Sequence, residues 1–385
     1  MSHSKHVTII SGEASGDIHA ARLIRELRKL EPQLYVDGMG SDALRQEADR
    51  LLVDNRDIAV MGLVEVIKHY PKIRRVLKRL EQHLRQSPPD LLILVDYVEF
   101  NLKLAKTAKS LGIKVLFYVS PQVWAWRPGR VEKIGRVIDM MATIFPFEVR
   151  YYEEKNVPAR YVGHPLVGHV HASAGRGELL TEFGLDPSNP VISLQPGSRR
   201  GEISMLLDTF LQAAIMLLQQ KPDAQFILPI APGLDIASLQ LGVDQHQLEV
   251  TLIPAGRSYD AMLMADAVLS ASGTATLETA MMGTPMVIAH KVAPFTYRIL
   301  KRLIRIPHIS LANIVAEKEI VREFIQDEAT PEALCRELVE LLDDEDYRQE
   351  MKQEMAEVTR KLGDREGSVV VAELAAEMLA NAHLV

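Results

Sequence analysis

Two acids in the N-terminal half of the sequence could take part in catalysis. Asp96 directly follows the apolar run Leu91–Val95, and Glu99 comes three residues later. A carboxylate at the end of a buried strand is half-buried, so its pKa can be tuned for general-base catalysis. We predict Asp96 as the base and Glu99 as the second candidate. The alternative for Asp96, a carboxylate that only caps the next helix, is at least as common.

An earlier loop, Ser11–Asp17, combines glycines with Glu13 and Ser15. Glycines let a ligand approach the backbone closely, and a helix N-terminus offers free N–H groups to an anion or a sugar oxygen. We predict a ligand-binding loop here. A plain strand-to-helix turn, in which Asp17 caps a helix that begins near Ile18, explains the sequence about equally well.

Two loops in the C-terminal half suit a nucleotide diphosphate. Arg199 lies in Gln195–Glu202, a glycine turn after the apolar run Val191–Leu194, and its forked guanidinium matches phosphate oxygens. The loop Ala271–Glu278 offers hydroxyls and backbone N–H groups at a helix start, and Glu278 is placed to accept hydrogen bonds from ribose. Either loop alone is more commonly a plain turn, but two in one half favour a nucleotide.

Both tryptophans of the chain lie in the segment Ser120–Arg127. Tryptophans are usually core residues, but Trp124 and Trp126 adjoin a proline turn and are followed by several cations, beginning with Arg127. We expect this segment to form a wall for a large substrate that is partly apolar and partly anionic.

The sequence predicts neither a metal site nor a cofactor. His164, His169 and His171 are neighbours in sequence, but no carboxylate or cysteine completes a ligand set, so we expect ordinary loop histidines. Asp344–Asp346 matches an Asp-x-Asp pattern, yet it lies in a charge run between predicted helices, so we expect solvated surface. Cys335 is the only cysteine, which excludes an internal disulfide.

The elements that must position these loops alternate between short apolar strands and longer amphipathic helices, the pattern of an α/β fold. The predicted strands are Val7–Ile10, Leu91–Val95, Val115–Val119, Thr143–Phe145, Val191–Leu194, Gln225–Pro229 and Ala267–Ser270. A chain of 385 residues is longer than a single hydrophobic core usually stabilises. The alternation of strands and helices begins again near residue 190.

We therefore predict two Rossmann-like, doubly wound domains that face a cleft. The first covers residues 1–168 and contains the Asp96 loop and the basic segment, and a linker follows at 169–189. The second covers 190–362 and contains the two nucleotide-type loops. The remaining segment, 363–385, is a C-terminal helix for which packing back on the first domain is one option. Ligands of such sheets bind at the carboxyl ends of the strands, where the predicted loops lie.

The charge is unevenly distributed along the chain. The net charge is −7, but the segment Lys68–Arg85 contains seven basic residues and one acid, so it carries +6 and the remainder −13. This balance argues against general nucleic-acid binding and suggests one local anionic partner. Lys68, Lys72, Arg75 and Arg79 form a stripe opposite an apolar face, as in helices at anionic membrane surfaces. A helix that only packs on its own sheet is the alternative.

No apolar run reaches about 18 residues, so we expect no transmembrane helix, and the N-terminal residues show no signal peptide. These features predict a cytoplasmic protein. With the basic segment, they predict a peripheral location on the inner face of the cytoplasmic membrane.

Several segments, taken together and in this order, resemble the lipid-A-disaccharide synthase family. They are Ser11–Asp17, Val60–Glu65, Tyr118–Pro121, Val123–Arg127, Pro196–Arg199 and Ala271–Ala275. The resemblance implies the GT-B glycosyltransferase fold and an inverting transfer from UDP-2,3-diacylglucosamine to 2,3-diacylglucosamine 1-phosphate (lipid X). The products would be the β-1,6-linked lipid A disaccharide 1-phosphate and UDP, and no cofactor is implied.

The resemblance also implies roles for individual residues. Asp96 matches the first acid of the family's Asp-x-x-Asp-Phe-Asn motif, where the base is expected, and Glu99 stands in place of the second acid. The resemblance implies that the first domain binds the acceptor and the membrane and that the second binds the UDP-sugar. The implied acceptor-binding residues are Glu13, Ser15, Glu99, Trp126 and Arg127. The implied UDP-binding residues are Arg199, Ser272, Gly273, Thr274, Ala275, Glu278 and Asn313.

Two other functions remain open at this point. One is another GT-B enzyme that uses a UDP-sugar, such as a muropeptide glycosyltransferase or a UDP-N-acetylglucosamine 2-epimerase. The other is a non-catalytic membrane-bound scaffold. The sequence leaves a homodimer open and predicts no nucleic-acid partner.

Overall fold

The computed structural model describes residues 4–58, 63–126, 128–234, 236–303 and 306–381 of the chain. Two parallel β-sheets are interleaved with helices, which confirms the predicted α/β class. The chain divides into two units: the first unit is Met1–Val167 with Leu362–Val385, and the second unit is Gly168–Lys361.

The first unit is built on a seven-stranded parallel sheet with the order β3-β2-β1-β4-β5-β6-β7. Its strands are β1 (His6–Ser11), β2 (Tyr35–Gly40), β3 (Arg50–Asp54), β4 (Leu91–Val95), β5 (Lys114–Tyr118), β6 (Met140–Thr143) and β7 (Ala159–Tyr161). Every residue of β4 is buried, because helices cover both faces of the sheet at its centre. This explains why β4 is a continuous apolar run rather than an alternating one.

The helices between these strands are α1 (Ala14–Leu30), α2 (Asp42–Glu47), α3 (Leu63–Gln86), α4 (Val98–Ser110), α5 (Val123–Trp126), α6 (Val131–Gly135) and α7 (Glu148–Glu153). One core forms where Leu80 and Leu84 of α3 and Leu104 of α4 meet one face of the sheet. A second core forms where Leu23 and Leu27 of α1 cover the other face.

The second unit has a six-stranded parallel sheet with the order β10-β9-β8-β11-β12-β13. Its strands are β8 (Val191–Gln195), β9 (Gln225–Pro229), β10 (Val250–Ile253), β11 (Ala267–Ala271), β12 (Met286–His290) and β13 (Glu323–Ile325). Its helices are α8 (Arg176–Glu182), α9 (Arg200–Gln220), α10 (Ile236–Asp244), α11 (Ser258–Met264), α12 (Thr274–Met282), α13 (Pro294–Leu303), α14 (Leu311–Ala316), α15 (Pro331–Asp343) and α16 (Glu345–Lys361).

Among the described helices, α9 alone is long and apolar enough to cross a membrane by length and composition. Its residues Leu206, Phe210 and Leu217 are buried within the second unit, where α9 connects β8 to β9 and packs against α15. Packing inside the unit therefore accounts for its apolar composition.

The segment predicted as a linker, 169–189, belongs to the second unit. Leu179 and Leu180 of α8 are buried in a core with Ile253 and Ala261. The Asp260 carboxylate accepts hydrogen bonds from the backbone N–H and the hydroxyl of Ser173. The many small and polar residues of this segment led to the prediction of a linker, but its two leucines give it a core-facing side.

The last helix, α17 (Gly367–Ala380), belongs to the first unit. Val371, Leu374 and Leu379 are buried in the core that α1 covers. Arg160 of β7 pairs with Glu377 at 2.8 Å. The polypeptide therefore returns to the first unit after it has completed the second.

Candidate active site

In each sheet the strand order reverses between two adjacent strands, β1 and β4 in the first unit and β8 and β11 in the second. At such a point the loops after the two strands run in opposite directions and leave a crevice, which is where open α/β sheets bind ligands. The predicted loops Ser11–Asp17 and Asp96–Asn101 follow β1 and β4. The loops at 195–202 and 271–278 follow β8 and β11.

The Asp96 loop has an unusual backbone. Asp96 and Tyr97 have φ angles of 49° and 42°, in the left-handed region that non-glycine residues rarely adopt. Asn101 stabilises this turn because its side-chain amide donates hydrogen bonds to the carbonyls of Val95 (3.2 Å) and Asp96 (2.7 Å). Backbone strain that is held in place by neighbouring groups is common at functional sites.

The two loops at this crevice are in direct contact. A Cβ atom on Gly12 would lie 2.2 Å from Cγ of the Tyr97 ring, so only glycine allows the ring to lie against this backbone. Gly12 is therefore needed for packing against Tyr97. This contact fixes the position of the Ser11–Asp17 loop relative to Asp96.

The environment of Asp96 favours a basic carboxylate. Burial raises the pKa of Asp96, the negative charge of Glu13 raises it further, and the backbone N–H of Tyr97 offsets this only in part. Glu13 is exposed at the N-cap position of α1, and Ser15 is exposed in its first turn. The loops after β1 and β4 therefore bring Glu13 and Asp96 close enough to interact electrostatically.

Glu99 lies in a different environment. Its side chain is 73% exposed and forms an ion pair with Arg130. Glu99, Arg130 and Lys133 line a groove of about 630 Å³ on the first unit. Glu13, rather than the second-choice base Glu99, is the acid whose charge acts on Asp96.

Asp17 does not cap its own helix, as the plain-turn interpretation of this loop expected. Helix α1 begins at Ala14 rather than near Ile18, so Asp17 lies inside its first turn and is buried. Its carboxylate accepts hydrogen bonds from the N–H of Ser41 (2.6 Å), the hydroxyl of Ser41 (2.7 Å) and the N–H of Ala43 (3.0 Å). Asp17 therefore caps α2, the helix after the neighbouring strand.

The expectation that Trp124 forms a substrate wall is wrong. Trp124 is buried, its indole N–H donates to Oε1 of Glu148 at 3.0 Å, and its ring packs edge-on against Phe147. Trp126 is the last residue of α5, but its side chain lies outside the described part of the structure, as does the whole of Arg127.

The nucleotide loops of the second unit line a single cavity of about 390 Å³. It lies at the carboxyl ends of β8 and β11, with residues after β9 and β10 completing the wall. The predicted residues that line it are Arg199, Ser272, Gly273, Thr274, Ala275 and Glu278. The structure thus brings six of the seven predicted UDP-binding residues together.

Glu202 closes the Arg199 loop at the start of α9. Its carboxylate accepts from the backbone N–H groups of Ser198 (3.1 Å) and Arg199 (3.3 Å), and the Arg199 guanidinium donates to it at 2.9 Å. Gly197 has a φ of 120°, and a Cβ atom there would lie 2.6 Å from Cβ of Glu202. The Arg199 side chain is 78% exposed, so its guanidinium remains accessible to an anion in the cavity.

The other loop presents the N-terminus of α12, beginning at Thr274, to the same cavity. Gly273 in the N-cap position has no side chain to cap the helix, so its first N–H groups can bind an anion. Burial raises the pKa of Glu278, while a hydrogen bond from the Tyr259 hydroxyl (2.9 Å) offsets part of the effect.

Asn313, the seventh predicted UDP ligand, has no hydrogen-bonding capacity left for a nucleotide. Its side chain is fully buried; it donates to the Val321 carbonyl and Glu323 Oε1, and accepts from the N–H groups of Ile320 and Val321. The prediction that this side chain binds UDP is therefore wrong. Asn313 orients Glu323, which accepts the N–H of Ile309, and the carbonyl of Ile309 accepts the Ser272 hydroxyl at 3.4 Å.

Sequence reasoning missed several residues that line this cavity or contact its lining. Tyr259 and Glu202 were not predicted because they act on other side chains, Glu278 and Arg199 respectively. No local spacing in the sequence indicates such a role. The loop after β9, represented by Ile230 and Pro232, also lines the cavity. The predicted strand Gln225–Pro229 was a sufficient signal for this loop, because loops after parallel strands share one edge of the sheet.

The basic segment forms a single helix, α3, with Pro71 inside it. Its side chains are described from Tyr70 onward. Leu80 and Leu84 are buried in the core, and Leu77 packs against it, so part of the apolar face does pack on the sheet. The side chain of Lys68 lies outside the described residues.

The cationic face of α3 remains exposed. Lys72 forms an ion pair with Asp57 at 3.1 Å. Arg75 and Arg79 are exposed, and neither pairs with an acid within the described ranges. Of the three predicted stripe residues whose side chains are described, Lys72 is therefore paired with an acid, whereas Arg75 and Arg79 face solvent.

Comparison with known proteins identifies the family. The family model described as lipid-A-disaccharide synthetase matches residues 7–378. Proteins named lipid-A-disaccharide synthase from Geobacter sulfurreducens and Nitrosococcus oceani are 47% and 44% identical, over 98% of this chain and 98% and 97% of theirs. The chain belongs to the lipid-A-disaccharide synthase family. It is accordingly a glycosyltransferase of lipid A biosynthesis, as the sequence motifs predicted.

Solved structures support the GT-B fold predicted for this lipid-A-disaccharide synthase family member. A putative UDP-N-acetylglucosamine 2-epimerase from Listeria monocytogenes matches 99% of the chain and 97% of its own with a TM-score of 0.65 at 14% identity. A glycotransferase of kitacinnamycin matches 98% of the chain and 100% of its own with a TM-score of 0.65 at 15% identity. At such identities the similarity concerns the fold alone.

Proposed function

We propose that the protein transfers a glucosaminyl group from UDP-2,3-diacylglucosamine to lipid X, with inversion, and releases UDP. The observation that carries this proposal is the cavity of the second unit, where two diphosphate-type loops and Glu278 converge at the point where the strand order reverses. The first unit has a half-buried carboxylate, Asp96, at the corresponding point of its own sheet.

Asp96 is the proposed base. It accepts the proton of the 6-hydroxyl of lipid X while that oxygen attacks C1 of the donor sugar. The bond from C1 to the UDP oxygen breaks, and its electron pair leaves with UDP, through an oxocarbenium-like state. A raised pKa makes the carboxylate a stronger base, and the left-handed backbone at Asp96 fixes its direction.

The second unit stabilises the departing UDP. The Arg199 guanidinium and the N–H groups at the start of α12 lie on the same cavity and can both meet diphosphate oxygens. Glu278 accepts hydrogen bonds from ribose, and Ser272, Gly273, Thr274 and Ala275 complete the pocket. Because Arg199 already pairs with Glu202, the diphosphate must compete with this acid for the guanidinium.

The acceptor binds to the first unit. Glu13 and Ser15 are exposed beside Asp96 and suit sugar hydroxyls. Arg130 and Lys133 give the groove beside Glu99 a positive charge that suits the phosphate of lipid X. Trp126 and Arg127 remain proposed acceptor-binding residues on the family motif.

The exposed cations of α3 bring the enzyme to the inner face of the cytoplasmic membrane, where its acylated substrates are. Each cation near an anionic leaflet contributes about 1 kcal/mol, so a few suffice for peripheral attachment without insertion. Arg75 and Arg79 face solvent without an acidic partner in the described part of the chain, which supports this role.

The decisive experiment is a UDP-release assay with the wild-type chain and two variants. We expect release only when both UDP-diacylglucosamine and lipid X are present. Asp96→Asn should lower turnover about 100-fold or more while UDP still binds, because the base and the nucleotide cavity lie in different units. The matched control Glu99→Gln, which alters an exposed acid of the same loop, should lose much less.

Three results would refute this assignment. Near-wild-type turnover by Asp96→Asn would remove Asp96 as the base. Consumption of the UDP-sugar at the same rate without lipid X would favour an acceptor-independent reaction, such as that of the epimerases with which this chain shares its fold. A chain that fails to bind UDP would favour the scaffold.

A further inference from the structure

Three side chains with metal-ligating atoms meet at the edge of the first sheet opposite to Asp96. His6 begins β1, Asp37 lies in β2, and His83 lies near the end of α3. Nε2 of His6, a carboxylate oxygen of Asp37 and Nε2 of His83 all lie within 4.8 Å of one another. The strands are parallel, so this cluster is at their amino-terminal part, whereas Asp96 follows a strand at its carboxyl end.

Both imidazole rings point their Nε2 atoms at the same oxygen. The distance to Asp37 Oδ2 is 2.7 Å from His83 and 3.2 Å from His6. The contact from His83 is a hydrogen bond, but Nε2 of His6 is buried and has no hydrogen-bond partner among the described residues. Its 3.2 Å contact with Asp37 is electrostatic rather than a well-formed hydrogen bond, so this buried nitrogen is available to bind a ligand.

We propose that His6, Asp37 and His83 form a binding site for a divalent transition-metal ion, with Zn²⁺ as the best match. Two imidazole nitrogens and one carboxylate oxygen are a donor set that Zn²⁺ accepts, whereas Mg²⁺ and Ca²⁺ prefer oxygen donors. Nε2 of His6 becomes a ligand, and the proton that Nε2 of His83 shares with Asp37 moves to Nδ1 of the ring or to solvent when the ion binds.

The two distances to Asp37 fit this ion with small adjustments. Bonds of about 2.1 Å in a tetrahedral site place neighbouring ligand atoms about 3.4 Å apart. The 3.2 Å separation already agrees, and the 2.7 Å separation must open by about 0.7 Å, which a rotation of the His83 side chain supplies. The side chains of His6 and His83 are 15% and 18% exposed, so water can reach the fourth position.

A neighbouring hydroxyl holds the carboxylate in place. Thr8 of β1 donates to Oδ1 of Asp37 at 2.7 Å, which leaves Oδ2 to face the two histidines. Partners of this kind orient ligands in known metal sites. The ion would join β1 and β2 to α3, and it would stabilise the first unit without taking part in the transfer reaction.

The test uses the full chain, stripped with a chelator and dialysed, and then titrated with ZnCl₂ by calorimetry. We expect one ion per chain and a higher melting temperature for the first unit. His6→Gln and His83→Gln should each weaken binding about 100-fold or more, because each removes a ligand but keeps a polar side chain. The control His171→Gln changes an exposed histidine of the second unit and should bind as the wild type does.

A second measurement needs no variant. Stripped wild-type protein titrated with CoCl₂ should develop the visible absorption bands of four-coordinate Co²⁺, which replaces Zn²⁺ in such sites. The proposal is overturned if these bands do not develop, if no stoichiometric ion binds, or if both glutamine variants bind Zn²⁺ as tightly as wild type. In each case the three residues would form a hydrogen-bonded brace only. UDP release at 25 °C should be the same with and without the ion.

Discussion

Two buried ionisable groups of the first unit should shift its stability in opposite directions as the pH changes. Burial raises the pKa of Glu148 from 4.5 to about 7, even though Trp124 and the backbone N–H groups of Phe145 and Ile144 donate hydrogen bonds to it. Burial lowers the pKa of His164 from 6.5 to about 4, and the nearby His19 adds to this effect. Both residues belong to the unit that contains Asp96.

The signs follow from which state binds more protons. Between about pH 4.5 and 7 the native state keeps a proton on Glu148 that the unfolded chain has lost, so stability falls as the pH rises. Between about pH 4 and 6.5 the unfolded chain binds a proton on His164 that the native state lacks, so stability rises with pH. At about 1.4 kcal/mol for each pH unit, either effect amounts to about 3 kcal/mol.

We therefore expect the contributions of Glu148 and His164 to nearly cancel in the wild type. Glu148→Gln removes one of them, and the stability of the variant relative to wild type should rise by about 3 kcal/mol from pH 4.5 to pH 7. The NH2 group of the new amide must face either two backbone N–H donors or the Trp124 N–H, which costs free energy at every pH and leaves this slope unchanged. Asp96, whose pKa is also raised, is present in both proteins and cancels in the difference.

Tryptophan fluorescence isolates the unit concerned, because Trp124 and Trp126 are the only tryptophans and both belong to the first unit. Urea unfolding followed by this signal, at several values between pH 4.5 and 7.5, gives the free energy of unfolding for each protein. The difference in the free energy of unfolding between wild type and Glu148→Gln could instead stay constant within about 1 kcal/mol across this pH range. That result would show that Glu148 is ionised throughout. The burial argument would then be refuted.

Three other predictions concern the site and the helix. Arg199→Ala should weaken UDP binding and also lower the rate, because the guanidinium meets the diphosphate before and during bond cleavage; calorimetry with UDP and the UDP-release assay measure the two effects. EDTA should leave turnover unchanged, because Arg199 and the N-terminus of α12 stabilise the departing UDP without a metal ion. Strong inhibition by EDTA would contradict this. Replacing Arg75 and Arg79 with Ser should remove about 2 kcal/mol and lower binding to anionic vesicles about 30-fold. Lys72→Ser, whose cation already pairs with Asp57, should lower it much less in the same sedimentation assay; equal losses would contradict the membrane role.

The sequence predicted well those features that depend on a single stretch of chain. Leu91–Val95 is recognisable because a strand buried on both faces must be apolar throughout, and the polar residue that ends it, Asp96, then marks the loop. Strand β2 was missed because Asp37 and two glycines interrupt it, and only its neighbours make it a strand. Strand β6 ends at Thr143, where the prediction began, because Phe145 is buried by stacking on Phe147 outside the sheet.

Roles that depend on several distant residues could not be predicted in this way. Asn313 matches a family motif, but the motif does not indicate whether the Asn313 amide faces a ligand or the protein. Only the positions of Val321 and Glu323 show that every hydrogen-bonding group of that amide is already used. The same holds for His6 and Asp37, since nothing in their spacing links them until β1 and β2 pair.

The topology explains why the predicted catalytic loops were found while other polar clusters were not. In both sheets the order reverses between the first strand of the unit and the fourth, so the loops after β1, β4, β8 and β11 lie at crevices. A polar loop at a crevice has space beside it for a ligand. Elsewhere on the sheet edge, the helix that follows the loop occupies this space. Glu13 and Asp96 in one unit and Arg199 with the start of α12 in the other meet this condition. The position of a polar residue relative to the reversal is therefore a stronger indication of catalysis than its type.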